Sequence, residues 1–497
     1  MPGMQITPEA AYQVLRTHDA RFDGRLFVGV TSTGIYCRPV CRVRIPLARN
    51  CRYFGNAAAA EAQGFRPCLR CRPELAPGLS LMDSSQHLAG RAAVLLAQAV
   101  RDGAAADAGG SATVAAVAAR LGVTDRHLRR IFAQEHGVSP MDHLSTQRLL
   151  LAKQLLTDTA LPVTQVALAS GFASVRRFNA AFLQRYRLSP SALRRSRPEA
   201  APENASDTQA DTVVRLAFRP PCDREALLAF WRTRALPGVE VADATGYRRT
   251  LALVHAGQRL SGWLALRFSP SRDEVQLAVA PSLLPALGTV MDRVRQAFDL
   301  DAEPALIDPV LAGVGRAPRP GLRLPGAFDG FELACRVILG QQVTVAAART
   351  LTQRLVQAFG QSLTTPWSDL NCLFPEAATL ALAPADAIGR LGIVRQRVGA
   401  LQALARAVHE GRIRLDRAAD ADATLAALRE LPGVGEWTVQ LIAMRALAWP
   451  DAFPASDIGV LNALGTRDPK QATALAEAWR PWRAYAVIRL WHELENP

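Results

Sequence analysis

Leu431-Pro-Gly-Val-Gly-Glu-Trp-Thr-Val439 is the stretch that decides how the larger half of this chain folds. Gly433 and Gly435 lie between two helical apolar patterns, and in so tight a turn glycine lets backbone N–H groups approach a ligand closely. The second helix is predicted to begin near Glu436, where its dipole favours an anion such as a phosphate. Because most Gly-x-Gly turns are simple turns, the hairpin alone leaves its function open.

An acidic residue follows the hairpin after 22 positions, in Phe453-Pro-Ala-Ser-Asp457-Ile-Gly459. Asp457 stands before another helical pattern, and an aspartate at such a place is most often an N-cap. Only together with the hairpin does it indicate a site for chemistry. From these residues alone, Asp457 can be either an N-cap or part of a site for chemistry.

The net charge of the chain is concentrated at one end. The 497 residues carry +14, of which +6 falls in residues 1–75, −1 in 76–85 and +9 in 86–197. Residues 198–497 are neutral. A basic block confined to one side points to nucleic acid rather than to general solubility.

Composition excludes several classes of protein. With 49% apolar residues the chain can bury substantial cores, which excludes disorder over most of its length. No uncharged run is long enough to span a bilayer, and the first residues lack the features of a secretory signal. Eight cysteines, five of them before residue 72, suit a metal site in a reducing cytoplasm better than a disulfide framework.

Changes in composition and in the period of the apolar residues divide the chain into four units and one linker. Residues 198–212 are rich in Pro, Ala, Asp and Glu and are predicted to be a solvated linker. Residues 86–197 have helical periodicity, whereas 213–300 combine alternating strand patterns with helices near 223–235 and 282–298. The predicted units are 1–75, 86–197, 213–300 and 301–497.

Two cysteine pairs, Cys37-x3-Cys41 and Cys68-x2-Cys71, are separated by 26 residues. Such pairs can converge on one tetrahedral ion, and thiolates suit zinc. From spacing alone, the simpler interpretation is a purely structural zinc site. Against it stands a dense set of arginines that would hold a phosphodiester backbone near the site, namely Arg38, Arg42, Arg44, Arg49, Arg52, Arg66, Arg70 and Arg72.

The middle of the basic block contains a repeated pattern of helix, glycine turn and helix. Gly122 marks the first turn and Gly171 the second, and apolar pairs recur after 50 residues, with Leu128 and Phe132 matching Phe178 and Phe182. Two helix-turn-helix units at this spacing can reach successive major grooves on one face of DNA. The second helices carry the arginines expected at the groove, among them Arg126, Arg129 and Arg176.

The basic half resembles the adaptive-response regulators of the Ada family. The residues that carry this resemblance are Phe27-Val-Gly-Val-Thr-Ser-Thr-Gly-Ile-Tyr-Cys-Arg-Pro-Val-Cys41 and Gly64-Phe-Arg-Pro-Cys-Leu-Arg-Cys71. It implies that one Zn²⁺ is held by Cys37, Cys41, Cys68 and Cys71, and that Cys37 irreversibly accepts a methyl group from a DNA phosphotriester. A bound zinc keeps a thiol deprotonated yet nucleophilic. The double helix-turn-helix resembles the AraC-type DNA-binding domain, which follows the zinc domain in that family.

The neutral half resembles the AlkA family of alkyladenine glycosylases, within the helix-hairpin-helix glycosylase superfamily. Besides the hairpin and Asp457, the resemblance rests on Pro320-Gly-Leu-Arg-Leu-Pro-Gly326, Phe331-Glu-Leu-Ala-Cys-Arg-Val-Ile-Leu-Gly-Gln-Gln-Val-Thr-Val345 and Trp479-Arg-Pro-Trp-Arg-Ala-Tyr-Ala486. It implies that an alkylated base is flipped from the duplex into a pocket containing Trp437 and Trp491. Asp457 would then stabilise the oxocarbenium-like sugar and help to activate the attacking water.

Three features qualify this resemblance. Gln342 stands where the best-known member has a leucine wedge, and Leu441 stands where that member has an aromatic. Lyase-type relatives attack the sugar with a lysine inside the hairpin, where this chain has Trp437. The only lysine after residue 198 is Lys470, which predicts hydrolysis by water and an abasic product.

Taken together, these patterns predict a multidomain protein that is mainly α with α+β parts. Its expected components are a small zinc domain with four cysteine ligands, an AraC-type double helix-turn-helix, an AlkA-like α+β domain and an all-α helix-hairpin-helix glycosylase domain. We expect methyl transfer to Cys37 to switch on transcription, and a monofunctional glycosylase of the DNA-3-methyladenine glycosylase II type. The alternative is a regulator whose C-terminal half binds damaged DNA without catalysis.

The expected partners are alkylated and promoter double-stranded DNA and RNA polymerase. No membrane is expected, and the chain is predicted to be a cytoplasmic monomer.

Overall fold

The computed structural model describes residues 7–18, 26–41, 43–55, 57–71, 73, 81–103, 111–159, 161–195, 213–316, 318–416 and 419–495. The predicted linker at 198–212 lies outside these residues. The chain divides into two compact units, residues 1–96 with 110–144 and residues 97–109 with 145–497. The domain boundaries expected from the sequence remain predictions.

A small sheet forms the beginning of the first unit. It is built from β1 (Phe27–Val30), β2 (Ile35–Cys37), β3 (Cys51–Phe54) and β4 (Arg66–Pro67), in the order β3-β1-β2-β4. β1 pairs antiparallel with β2 and β3, whereas β4 runs parallel to β2. Helices α1 (Pro8–Thr17) and α2 (Ala57–Ala62) accompany it, and Thr7 caps α1 by accepting from Ala10 N.

The first helix-turn-helix forms as the repeat predicts. Helices α3 (Leu81–Arg101), α4 (Ser111–Arg120), α5 (Asp125–His136) and α6 (Pro140–Asp158) follow one another in this region. Gly122 adopts a φ of 68°, and Thr124 caps α5 by accepting from His127 N. Leu128 and Phe132 are fully buried, so α5 turns its charged face outward.

The second copy is built in the same way and belongs to the second unit. It comprises α7 (Val163–Ala169), α8 (Val175–Tyr186) and α9 (Pro190–Arg195). Gly171 has a φ of 77°, and Phe178 and Phe182 are fully buried, as Leu128 and Phe132 are in the first copy. The repeat predicted from the 50-residue offset is therefore confirmed.

An antiparallel five-stranded sheet follows in the second unit, as the alternating patterns predict. Its strands are β5 (Val213–Ala217), β6 (Glu240–Ala242), β7 (Gly246–His255), β8 (Gln258–Phe268) and β9 (Glu274–Val279), in the order β5-β9-β8-β7-β6. Helices α10 (Arg224–Arg234), α11 (Leu287–Ala297) and α12 (Pro304–Ile307) complete it. One hydrophobic core joins α6, α7 and α8 to this sheet and to α11.

The rest of the chain is a helical array around a large apolar core. Its helices are α13 (Gly330–Leu339), α14 (Val345–Phe359), α15 (Ala377–Leu382), α16 (Ala385–Gly389), α17 (Arg395–His409), α18 (Ala421–Arg429), α19 (Glu436–Arg445), α20 (Ile458–Ala463), α21 (Pro469–Ala476) and α22 (Arg483–Glu495). A two-residue ribbon, β10 (Gln361–Ser362) with β11 (Cys372–Leu373), interrupts the helices and is too short to leave a periodic signal. Within the part of the chain that the structure describes, no helix is both long and apolar enough to cross a membrane.

Candidate functional site

The four predicted cysteine ligands converge at one end of the small sheet. The parallel register of β2 and β4 pairs Tyr36 with Pro67, so the residues that follow, Cys37 and Cys68, lie side by side. Cys41 and Cys71 come from the turns just beyond. The four sulfur atoms all lie within 4.8 Å of one another, as a single tetrahedral ion requires.

Burial and charge both indicate that a cation holds these sulfurs. Cys41 and Cys71 are 1% and 0% exposed, whereas Cys37 keeps 6% and is therefore the better placed of the first pair to meet a large substrate. Hydrogen bonding to Cys41 and Cys71 raises the pKa of the Cys37 thiol, while the bond with Cys37 lowers the pKa of Cys41 to about 4. Such crowded sulfurs can all ionise only if a metal shares their charge, so the donor set fits one Zn²⁺.

The arginines around the cysteines do not all face outward. Arg38 is fully buried, because the turn between Cys37 and Cys41 folds it inward, and its backbone N–H donates to Cys71 Sγ at 3.5 Å. Its expected contact with DNA is therefore wrong. Arg42 and Arg72 lie outside the described residues. The remaining members of the set are exposed: Arg44, Arg49, Arg52, Arg66 and Arg70.

The two recognition helices present arginines to solvent. Arg126 on α5 and Arg176 on α8 are exposed. Arg129 donates from Nε to Asp125 Oδ2 at 2.8 Å, one helical turn away, which holds its side chain against α5. Ser174 caps α8 by accepting from Arg177 N at 3.3 Å.

Asp457 lies at the start of α20, and both predicted pocket residues, Trp437 and Trp491, donate hydrogen bonds to its carboxylate. Trp437 Nε1 donates to Oδ2 and Trp491 Nε1 donates to Oδ1, each at 2.9 Å. Oδ1 also accepts from Val460 N at 3.0 Å, so Asp457 is an N-cap as well. Asp457 is 8% exposed. The structure thus shows that Asp457 is the N-cap of α20, and it brings this residue together with Trp437 of α19 and Trp491 of α22.

The hairpin is tied to the Gln341 motif by side-chain hydrogen bonds. Gln341 Nε2 donates to Gly433 O and to Thr438 Oγ1, both at 2.9 Å. Gly433 has a φ of 76°, a conformation that favours glycine. Gly435 is the N-cap of α19 and is exposed, and no side chain caps this helix end. The first N–H groups of α19 therefore have no side-chain acceptor, which is the arrangement that the predicted phosphate contact requires.

Gln342 is held in an unusual backbone conformation next to this hairpin. Its φ is 53°, and its side chain is exposed. Non-glycine residues in the left-handed region are uncommon, and where surrounding structure holds them there they are often functional. This geometry favours the predicted role of Gln342 as a residue that projects into DNA.

A cleft of about 1260 Å³ connects these elements. Among its lining residues are Gln342, Gly435, Trp437, Asp457 and Trp491. Leu441, one helical turn beyond Trp437, also lines it and is 7% exposed. No lysine is among the described residues that line the cleft, and Lys470 lies on α21, with an exposed side chain.

Sequence reasoning missed two contributors to the cleft. Thr438 Oγ1 accepts a hydrogen bond from the Gln341 amide. No feature of the sequence distinguishes this threonine, directly after Trp437, as part of a site. Arg445 lines the cleft eight residues after Trp437 on the same helix. The spacing of Trp437, Leu441 and Arg445, four residues each, is the signal that could have identified it.

Comparison with known proteins matches four consecutive segments of the chain to family models. They are the metal binding domain of Ada (10–74), a helix-turn-helix domain (117–196), the AlkA N-terminal domain (213–329) and the HhH-GPD superfamily of base excision DNA repair proteins (335–481). These segments contain the cysteine cluster, both recognition helices and most of the residues that line the cleft, including Trp437 and Asp457 but not Trp491.

Curated relatives match either the whole chain or one half of it. The probable bifunctional transcriptional activator/DNA repair enzyme AlkA of Mycobacterium tuberculosis is 38% identical, over 98% of this chain and 97% of that protein. DNA-3-methyladenine glycosylase 2 of Escherichia coli is 33% identical, over 56% of this chain and 96% of that protein. The bifunctional transcriptional activator/DNA repair enzyme Ada of Escherichia coli is 34% identical, over 27% of this chain and 34% of that protein.

Proposed function

The chain belongs to the family of bifunctional transcriptional activators and DNA repair enzymes typified by the Mycobacterium tuberculosis AlkA protein, and on this premise we propose how each half acts. It is a DNA-binding protein with a glycosylase half and an Ada-like regulatory half. The glycosylase half excises alkylated bases of the 3-methyladenine type. The observation that carries this proposal is the convergence of two indole N–H groups on the buried Asp457 carboxylate.

In the glycosylase half, the hairpin and Gln342 hold the distorted duplex while the damaged base enters the cleft. Stacking on the indole rings favours a base that carries positive charge, and the same charge makes it a better leaving group. The bond between sugar C1′ and the base nitrogen breaks, and the electron pair leaves with the base. Asp457 stabilises the cationic sugar and accepts a proton from the water that adds to C1′.

The cleft supports hydrolysis in preference to lyase chemistry. A Schiff base with the sugar requires an amine beside C1′, and the described lining residues of the cleft offer none from lysine. Trp437 occupies the hairpin position at which a lyase would carry its lysine. The product is therefore a free base and an abasic site.

In the regulatory half, Cys37 is the methyl acceptor. Its sulfur attacks the methyl carbon of a DNA phosphotriester, so an S–C bond forms, the C–O bond breaks and the phosphate oxygen leaves as a diester anion. Zinc held by Cys37, Cys41, Cys68 and Cys71 would keep these sulfurs ionised at neutral pH. Methylation removes one negative charge from the cluster, which weakens its repulsion of the DNA backbone.

Promoter binding then falls to the two helix-turn-helix copies. Arg126, Arg129 and Arg176 are assigned to the groove side of α5 and α8. We assign RNA polymerase as the protein partner, and a cytoplasmic monomer as the working form.

Release of bases from alkylated DNA tests the glycosylase half. The purified full-length chain is expected to release 3-methyladenine from methylated duplex DNA and to leave abasic sites. Binding of the same DNA with no release would favour the alternative of a regulator whose C-terminal half binds damage without catalysis. Strand cleavage at the abasic sites, trapped by borohydride, would contradict a monofunctional mechanism.

Mass spectrometry tests the regulatory half independently. Incubation with DNA that contains methyl phosphotriesters is expected to add one methyl group to the Cys37 peptide. Cys37→Ala should remain unmodified, and Cys51→Ala, outside the cluster, should react as the wild type does. An unmodified wild-type Cys37 would leave the cysteines with a purely structural role.

A further inference from the structure

The second helix-turn-helix copy and the AlkA-like sheet domain share one buried core, although the predicted linker separates them in sequence. α7 packs against the 3₁₀ turn Pro281–Ala286, which leads into α11. Val166 and Ala167 of α7 belong to the same apolar cluster as Leu283 and Leu287, and all four side chains are fully buried. The division of the chain into two compact units accordingly falls inside α3 and α6 and not at the linker.

The end of α3 is bound to the same sheet domain by polar contacts. Thr289 Oγ1, on α11, donates to Arg101 O at 2.9 Å. The Arg101 guanidinium forms an ion pair with Asp292 Oδ2 at 2.6 Å. Ala256 N, in the turn between β7 and β8, donates to Asp102 O at 2.9 Å. The last carbonyls of a helix have no partner within it, so the sheet domain supplies acceptor contacts where α3 ends.

Gly288 on α11 lies directly against these helices. A Cβ at this position would lie 3.1 Å from Leu151 Cδ2 on α6 and 3.7 Å from Arg101 Cα on α3. The three atoms nearest to it all belong to those two residues, so a larger side chain at 288 would meet α6 and α3 rather than its own domain. Glycine is unfavourable inside a helix, and the close approach of a second element gives it a reason to stand here.

We propose that the second helix-turn-helix copy is permanently docked on the AlkA-like sheet domain, so that the recognition helix α8 and the glycosylase cleft move as one body. The segment that occupies this surface is the chain's own, residues 97–103, 145–159 and 161–195. Domains joined only by a linker move relative to each other, whereas a hydrophobic interface with added hydrogen bonds holds them together. This docking goes beyond the proposed function and does not depend on the activity of either half.

Cutting the linker of the full-length chain tests the docking without any change at the interface. A specific protease site is inserted within 198–212, and the folded protein is cut and diluted to about 1 µM, far below the roughly millimolar effective concentration that a flexible linker provides. The two pieces are expected to elute together, in equal amounts and at the mass of the uncut chain. Elution as two separate pieces would overturn the proposal. Elution at twice that mass would place a second copy of the chain on the surface and would overturn it as well.

Gly288→Leu in the cut chain locates the interface. The new side chain would overlap Leu151, so the dissociation constant of the two pieces should rise by about tenfold or more. Gly399→Leu on α17 is the matched control, because a Cβ at that position has no other group within 4 Å. It should leave the dissociation constant unchanged. A Gly288→Leu chain whose pieces associate as tightly as those of the wild type would overturn the proposal.

Charge reversal provides a second test that leaves the packing of α11 intact. Arg101 and Asp292 are both partly exposed, with side chains 38% and 37% accessible, so their variants should fold. Asp292→Arg sets two cations against each other and should weaken the association about fivefold. Adding Arg101→Asp restores an opposite-charge pair and should recover most of the loss, which damage to α11 alone would not allow. A double variant that associates no better than Asp292→Arg would contradict the docking.

Discussion

Replacing Asp457 by Asn separates the two roles of this residue, because it removes the charge and nearly preserves the shape. The asparagine Oδ1 can still accept from Val460 N and Trp491 Nε1, as the carboxylate does at 3.0 and 2.9 Å. The new NH₂ group then faces the Trp437 N–H, which donates to Oδ2 at 2.9 Å in the wild type. One hydrogen bond to a charged group is lost and a donor is left unpaired.

The cost in stability follows from that single contact. A hydrogen bond to a charged group contributes about 1.5–3 kcal/mol, so the free energy of unfolding should fall by about 2 kcal/mol. The catalytic cost is larger. A carboxylate about 4 Å from a cationic sugar at an effective dielectric of about 20 stabilises it by about 4 kcal/mol, or about a thousandfold in rate.

Single-turnover release of 3-methyladenine and denaturant unfolding measure the two effects separately. Asp457→Asn should lose about a thousandfold in rate while still binding DNA that contains an abasic-site analogue. Asp468→Asn is the matched control, since Asp468 is also an N-cap, accepting from Lys470 N at 2.9 Å, but contacts neither indole. A rate in Asp457→Asn above about a tenth of the wild-type rate would refute the electrostatic role of the carboxylate.

Three further predictions concern the metal, the hairpin and the recognition helices. Metal analysis should find one zinc per chain; Cys71→Ser should lose it and Cys51→Ser should retain it, whereas equal zinc content would show that the four sulfurs do not form the site. Gly433→Ala should lower stability by about 1–2 kcal/mol and weaken DNA binding, because φ is 76° and the new Cβ would lie 3.2 Å from Ala400 Cβ. Both effects can be measured by thermal melting and fluorescence anisotropy, and an unchanged DNA affinity would contradict the role of the hairpin. If Arg176 contacts a phosphate, Arg176→Ala should reduce the magnitude of the slope of log K for promoter binding against log salt concentration by about one. If Arg176 contacts a base, the same substitution should relax the sequence preference. Binding that changes in neither respect would remove α8 from the interface.

The sequence by itself determined the elements whose signals are local. Fixed spacing identified the two cysteine pairs, and the 50-residue offset predicted two copies of one helix-turn-helix, in which the structure buries Leu128 and Phe132 as it buries Phe178 and Phe182. The hairpin pattern predicted that α19 begins near Glu436, and α19 does begin at this residue. Composition alone showed that Lys470 is the only lysine after residue 198, which predicts hydrolysis by water.

Tertiary structure decided which side chains meet, because those contacts join residues that are distant in sequence. Trp491 reaches Asp457 across 34 positions, and Arg336 reaches Glu240 across 96. The folding of the turn after β2 buried Arg38, an arginine that composition alone assigned to DNA. Among the residues that the structure describes, no carboxylate pairs with Arg445, whereas Arg234 pairs with Glu495 and Arg336 pairs with Glu240 and Glu332. No local pattern in the sequence predicts how charges are shared among helices once they pack.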